Sequence, residues 1–95
     1  MSISYNYMDA DKDEPDQFLE FNDWESIKPA LVALKAKSGV EIDPYSDTRF
    51  SDDHAVLLSQ LIERLVKGPS IGVSNLSQIL SESGKTGRWL LFVGD

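Results

Sequence analysis

The spacing of apolar residues predicts three helices, and the clearest of them lies between Ser51 and Pro69. Its apolar residues recur every three or four positions, giving a face wider than a coiled-coil seam, which is typical of a helix packed in a globular core. Ser51 can cap the first turn, and Gly68 and Pro69 are expected to end the helix. The apolar positions are Leu57, Leu58, Leu61, Ile62, Leu65 and Val66.

Two weaker helical patterns lie on either side of this central helix. In the first, Pro29 is tolerated only in an opening turn, so we expect a regular helix from about Ser26 to Gly39, after a lead-in turn over 22–25. In the second, Ser74 is a plausible cap and Gly84 a plausible stop. The apolar positions of the two helices are Trp24, Ile27, Leu31, Leu34, Leu76, Ile79 and Leu80.

Strand patterns occur at both ends of the chain. Apolar and polar residues alternate from Ser2 to Met8, as in a half-buried strand. In the segment Arg88 to Val93, every residue after Arg88 is apolar, which is typical of a strand covered on both faces. We expect these two strands to pair, with Val40 to Ile42 a possible third member. The predicted fold is α+β: three helices packed on a small sheet that pairs the N-terminal and C-terminal strands.

The segments between these elements are expected to be mostly irregular. The acidic run from Asp9 to Asp16 contains Pro15 and should form a solvated loop. Phe18, Leu19 and Phe21 should return the chain to the core, as a short strand or a turn of helix. Tyr45 to Phe50 is expected to be a connecting loop.

Length and composition indicate one domain spanning residues 1–95, which is long enough to bury a core. The chain has no cysteine, which excludes disulfides, thiolate zinc sites and a cysteine nucleophile and suits a reducing compartment. It shows neither a signal-peptide pattern nor a long apolar run. We therefore expect a cytoplasmic protein without a membrane partner.

The formal charge of −7 is concentrated in two acidic stretches. Residues 1–25 hold eight acids against Lys12 alone, and the second stretch has only Arg49 to oppose its acids. If the two stretches are neighbours in space, they form one acidic surface, which would repel nucleic acid and attract a basic protein. Acidity for solubility alone is an equally good explanation. The acids of the second stretch are Glu41, Asp43, Asp47, Asp52 and Asp53.

Three motifs resemble metal-binding, catalytic or phosphate-binding sites, but each departs from the pattern that such a site needs. Asp9, Asp11, Asp13 and Glu20 match the ligand spacing of an EF-hand loop, but Glu14 stands where the sharp turn needs glycine. A small calcium-binding module therefore remains only as an alternative. The lone His54 follows two aspartates at a helix start, where neighbouring side chains do not face one another. Residues 84–86 (GKT) precede a strand rather than opening a helix, as a phosphate-binding loop would. We expect no cofactor, no metal and no enzymatic activity.

Aromatic residues next to acids are the best candidates for partner contacts, because rings supply contact area and carboxylates supply steering. Tyr45 and Phe50 lie in the second acidic stretch and are predicted contacts, whereas Trp24, Trp89 and Phe92 are expected in the core. The predicted partner-binding residues are Asp43, Tyr45, Asp47, Phe50, Asp52 and Asp53.

Small size, acidity and the lack of cysteine and of catalytic motifs make the whole chain resemble the small cytoplasmic immunity proteins of bacterial toxin systems, including contact-dependent inhibition. Within it, Trp24 to Leu61 resembles a unit of a bacterial protein family. The resemblance implies binding and neutralisation of a basic toxin, often a nuclease, whose expected phosphate the acidic surface would mimic. The alternative is a phage-type or regulatory inhibitor that acts on a host enzyme by nucleic-acid mimicry. The sequence does not predict the oligomeric state of the protein.

Overall fold

The computed structural model describes residues 3–94 and contains three helices and four strands. The elements in chain order are β1 (Ile3–Tyr7), β2 (Gln17–Leu19), α1 (Phe21–Ser38), β3 (Asp47–Phe50), α2 (Asp52–Leu65), α3 (Ile71–Thr86) and β4 (Leu90–Val93). No helix within the described residues combines the length and the apolarity needed to cross a membrane.

The four strands form one antiparallel sheet in the order β2-β1-β4-β3. The first and last strands pair in its centre, with Tyr5 opposite Phe92, which confirms the predicted pairing of the two termini. The α+β prediction of three helices on a small sheet is likewise confirmed. Ser2, the predicted first strand residue, lies outside the described residues.

The outer strands differ from the sequence prediction on one side of the sheet. The predicted connecting loop 45–50 contains β3, which pairs with β4 along its whole length. The segment 40–42, predicted as a possible strand, is irregular, although Ile42 is buried. On the other side, β2 agrees with the short strand considered for this part of the chain, but only Leu19 is buried there. The prediction was wrong for β3 because three of its four residues are polar and carry no strand alternation.

Helix α1 begins five residues before the predicted start. Glu20 and Asp23 form a reciprocal capping box, so the first turn is fixed well ahead of Pro29. Pro29 lies inside the helix on its exposed side, where it cannot donate a backbone hydrogen bond and its ring crowds the carbonyl of Glu25, one turn earlier. Gly39 ends the helix with a positive φ of 76°, as predicted.

The other two helices also differ at their ends. Helix α2 is capped by the Ser51 side chain as predicted, but it ends at Leu65 rather than at Gly68. Its buried positions include Leu58, Leu61 and Ile62, whereas Leu65 is exposed. Helix α3 is capped by Ser70 rather than Ser74, and it ends at Gly87 rather than Gly84.

The three helices all cover the same face of the sheet. Buried residues on alternate strand positions, including Tyr5, Phe50, Leu90 and Phe92, pack against the helices in one core. Within it, Phe92 stacks on Tyr5 and meets Phe50 edge to face, with both centroid distances at 5.5 Å. No helix or strand among residues 3–94 covers the other face of the sheet. The sequence predicts that β4 is covered on both faces, but in the structure it is covered on one.

Candidate partner-binding surface

The uncovered side of the sheet, here called the open sheet face, is formed by the strand residues that alternate with the buried ones. In register, Phe18, Ser4, Val93 and Asp47 form one row across the four strands. The next row joins Asn6, Leu91 and Arg49. Met8 and Trp89 extend the central ladder by one pair, since the Met8 amide donates to the Trp89 carbonyl at 2.9 Å. The open sheet face comprises Ser4, Asn6, Met8, Phe18, Asp47, Arg49, Trp89, Leu91 and Val93.

Apolar side chains run along the middle of this face. Trp89, Leu91 and Val93 occupy alternate positions along β4 and its start. Met8 pairs with Trp89, and Phe18 lies on the far side of Ser4 from Val93. Trp89 is 49% exposed and Phe18 is 62% exposed. Apolar side chains grouped in this way on one surface mark an interaction site more often than scattered ones do. These five residues are called the apolar strip below.

Carboxylates lie at the borders of the apolar strip. Asp16 accepts a hydrogen bond from the Asn6 side chain at 3.0 Å, and a hollow of about 270 Å³ opens between these residues and Leu91 and Val93. Asp47 lies opposite Val93 at the other side of the sheet. Aromatic and aliphatic groups edged by negative charge form a surface suited to a basic protein.

The first acidic run is tied to the sheet by Arg88. Its guanidinium makes two hydrogen bonds to the Glu14 carboxylate, at 2.8 and 2.9 Å, and one to Asp9 at 2.9 Å. It also lies 3.8 Å from the centre of the Tyr7 ring. The Asn6 side chain adds a hydrogen bond to the Glu14 carbonyl. The loop expected to be merely solvated is therefore fixed beside the open sheet face.

The predicted partner-binding residues are divided between the two ends of β3. At its start, Asp43 accepts hydrogen bonds from the Tyr45 amide and the Ser46 hydroxyl, both at 2.8 Å, and these lower the pKa of the Asp43 carboxyl. Tyr45 is 71% exposed, and Asp47 is also exposed. These three residues form a turn next to the Val93 end of the apolar strip.

The remaining acids of the set lie at the far end of β3. Asp52 and Asp53 occupy the first turn of α2, immediately after Ser51, and so belong to the helix layer. Asp52 lies five residues beyond Asp47. Asp9 follows Met8, which pairs with Trp89, so the first acidic run begins next to the Trp89 end of the apolar strip. The two acidic stretches therefore border the strip only in part, through Asp16 on one side and Asp47 on the other.

Phe50 is a correction to the predicted site. It is completely buried and packs edge to face on Phe92, so it belongs to the core and offers no surface to a partner. The alternation of β3 explains this result, because Phe50 lies on the helix-covered side whereas Arg49 lies on the open side.

The sequence reasoning missed the apolar strip, and Trp89 most clearly. The sequence predicts Trp89 in the core, because a continuous apolar run such as that of β4 is typical of a strand buried on both faces. In the structure only Leu90 and Phe92 are fully buried. The sequence did contain a signal for this surface. The composition of β4 is that of a strand covered on both faces, but three helices can cover only one face, so the other face is left for another molecule.

The rejected motifs have ordinary structural positions. Asp9 and Glu20 lie at opposite ends of β1, about 15 Å or more apart by strand length, and so cannot share a cation. Across residues 3–94, no three His, Asp or Glu side chains are grouped in a way that could hold a metal ion. The His54 ring contacts the Ser51 cap at 2.9 Å, and residues 84–86 lie inside α3.

Comparison with known proteins gives no assignment, since no family model, no curated protein and no solved structure matches the chain. Functional inference therefore depends on the geometry of the open sheet face.

Proposed function

We propose that this protein is an immunity-type inhibitor, which binds a basic toxin and neutralises it by occlusion. The observation that carries the proposal is the apolar strip, left uncovered on one face of the sheet and bordered by carboxylates from both acidic stretches. The protein acts as a binding partner rather than as a catalyst, in the cytoplasm of the cell it protects.

The physical argument divides the surface into two roles. Trp89 supplies a large rigid ring at one end of the apolar strip, and it is the type of residue on which binding energy is usually concentrated. The carboxylates at the borders of the strip, among them Asp16 and Asp47, attract a basic surface over distance and set its orientation. A nuclease would present such a surface, because it binds phosphate.

The test begins with the reading frames next to the gene for this protein, one of which should encode a toxin domain if the proposal holds; that domain is then co-expressed with this chain. The wild-type chain should restore growth of the bacterial host and bind the purified toxin. Trp89→Ser should weaken binding by about thirtyfold or more, because a tryptophan buried in a contact commonly contributes about 2 kcal/mol or more. Growth rescue should fall accordingly.

Val32→Ser is the matched control. Val32 is an exposed apolar residue of α1, on the helix layer and away from the open sheet face, so its replacement should leave binding and rescue unchanged. Circular dichroism should show that both variants remain folded. If Trp89→Ser binds as tightly as the wild type, the apolar strip is not the contact. If the wild-type chain neither rescues growth nor binds the toxin, the inhibitor proposal fails.

A further inference from the structure

The outer edge of β3 has free backbone groups whose positions follow from the hydrogen-bond pattern of the sheet. Gly94 donates its amide to the carbonyl of Ser46, its directly opposite residue, so 46 and 94 form a hydrogen-bonded pair. Such pairs alternate along an antiparallel ladder. Phe50 and Leu90 therefore bond to one another, whereas Asp47 and Arg49 direct their amides and carbonyls away from β4.

The central ladder gives the same result independently. Met8 donates to Trp89, so the residues of β4 that bond to β1 are 89, 91 and 93. Those available to β3 are then 90, 92 and 94, in agreement with the Gly94 bond. Among the described residues, no hydrogen bond engages the outward groups of Asp47 or Arg49. This edge can accept another strand.

The side chains of the edge select its partner and its register. Asp47 and Arg49 lie two residues apart on the same face and carry opposite charges. If a second copy pairs antiparallel about Thr48, Asp47 of each copy lies opposite Arg49 of the other, and both positions have the outward backbone groups that the pairing needs. The other two registers with matching backbone groups place Asp47 opposite Asp47 or Arg49 opposite Arg49, which like charges disfavour.

We propose that the protein forms a two-fold symmetric dimer through β3, joining two four-stranded sheets into one of eight strands. The contact is isologous, because the same edge serves in both copies. The exposed Tyr45 lies in the turn just before β3, so it adds contact area at each end of the paired strands. The other edge of the sheet is the three-residue strand β2, which follows Pro15 and is poorly suited to such pairing.

The dimer does not depend on the proposed toxin contact, since it uses the edge of the sheet rather than the apolar strip. Sedimentation velocity of the purified chain from low micromolar to near-millimolar concentration should show a monomer–dimer equilibrium. Asp47→Arg or Arg49→Asp alone places like charges opposite at two positions and should weaken dimerisation by about tenfold or more.

Two further samples make the test specific for this register. The double variant Asp47→Arg/Arg49→Asp restores opposite charges at both positions and should dimerise like the wild type. A mixture of the two single variants should form heterodimers, because each supplies the charge that the other lacks. Circular dichroism should show that every variant is folded. A wild-type chain that stays monomeric throughout, or single variants that dimerise as well as the wild type, would overturn the proposal.

Discussion

Among single residues, Arg88 connects parts of the chain that are far apart in sequence. It binds Glu14 and Asp9 across more than seventy residues and stacks on Tyr7. Its own carbonyl accepts a hydrogen bond from Ser83, a buried residue of α3. One side chain thus fixes the acidic loop, the end of β1 and the start of β4 relative to one another.

The Arg88–Glu14 pair predicts a dependence of stability on pH. Hydrogen bonding to Arg88 lowers the pKa of the Glu14 carboxyl below its ordinary value of 4.5. A carboxyl with a lowered pKa in the folded state adds stability above its unfolded pKa, and this is lost as the pH falls through the folded value. The melting temperature of the wild type should therefore fall more steeply between about pH 6 and about pH 3 than that of Glu14→Gln.

Arg88→Gln is the partner control for this measurement. Its pH dependence should be at least as shallow as that of Glu14→Gln, because it removes the Glu14 pair and the contact with Asp9 as well. Adding Glu14→Gln to Arg88→Gln should change the pH dependence little further, because the pair is already absent. Wild-type and Glu14→Gln curves that run parallel would show that the pair adds no pH-dependent stability.

Gly72, in the first turn of α3, lies so close to the Asp23 side chain of α1 that there is no room for a larger residue. Asp23 closes the capping box of α1 and also accepts a hydrogen bond from Ser70, the cap of α3, at 2.6 Å. A Cβ at position 72 would overlap the Asp23 carboxylate. Gly72→Ala should therefore lower the free energy of unfolding, although alanine favours a helix over glycine by about 1 kcal/mol.

The background variant Asp23→Ala separates the two effects at Gly72. With the carboxylate removed, adding Gly72→Ala should raise stability by about 0.5–1 kcal/mol, as expected for a compatible helix position. Chemical denaturation measures all four proteins. A Gly72→Ala variant that is already more stable than the wild type would show that Asp23 moves aside without cost.

At the level of elements, the sequence predicts what local signals determine. The three helices and the two terminal strands follow from periodicity and from flanking caps and glycines, as Ser51 and Gly39 illustrate. The pairing of the two strands follows because the sequence offers the C-terminal strand no better partner. The features that local signals do not predict depend on contacts between residues that are distant in the chain. Gly84 lies inside α3, where Val56 of α2 packs against it, although glycine is locally a stop signal. Strand β3 exists because β4 offers an edge, which its own residues do not indicate.

The candidate site shows the same division. The acids of the second stretch were identified, but their separation along β3 was not, because the sequence predicts a loop there. The apolar strip was missed because apolarity alone does not say whether helices or another molecule cover a strand. The residue types alone therefore predicted where the acidic charges lie along the chain, but they did not predict which face of β4 is free.

The central helix provides a test of which face is buried. Leu61 and Leu65 belong to the same apolar pattern of α2, but Leu61 is buried whereas Leu65 is 42% exposed at the helix end. Leu61→Asp should unfold the protein, because an unpaired buried charge costs several kcal/mol of a total of about 5–15. Leu65→Asp should cost about 1 kcal/mol or less.

Thermal unfolding followed by circular dichroism distinguishes the two variants directly. A folded Leu61→Asp protein with the melting temperature of the wild type would mean that α2 packs through a different face. Equal destabilisation by Leu65→Asp would mean that the end of α2 is buried more deeply than its exposure indicates.

At the level of the whole molecule, the fold has two unlike sides. One side is the helix layer, whose ion pairs, such as Lys28–Glu25 and Lys35–Glu41, balance charge locally. The other is the open sheet face, where an antiparallel sheet can meet water but here presents the apolar strip. The molecule measures 33 × 26 × 24 Å along its principal axes, so its opposite sides lie farther apart than the distance of about 10 Å over which about 0.1 M salt screens charges. Charges on the two sides should therefore affect a partner differently.

This difference leads to a prediction about the rate of toxin binding. Asp16→Asn, Asp43→Asn and Asp47→Asn combined remove three negative charges at the borders of the apolar strip, whereas Glu25→Gln, Glu63→Gln and Glu82→Gln remove three from the helix layer. Both variants have the same net charge. At about 0.1 M salt, where the screening distance is about 10 Å, the first should slow association with the toxin about tenfold, because steering then depends on charges near the contact. It should also reduce the salt dependence of the association rate.

The helix-layer variant should associate nearly as fast as the wild type, and dissociation should change little in either protein, since steering charges act on the approach rather than on the formed complex. Stopped-flow measurements over a range of salt concentrations give both rates. If the two triple variants slow association equally, the toxin responds to net charge alone. If only the helix-layer variant is slowed, the toxin approaches the helices, and the open sheet face is not its binding surface.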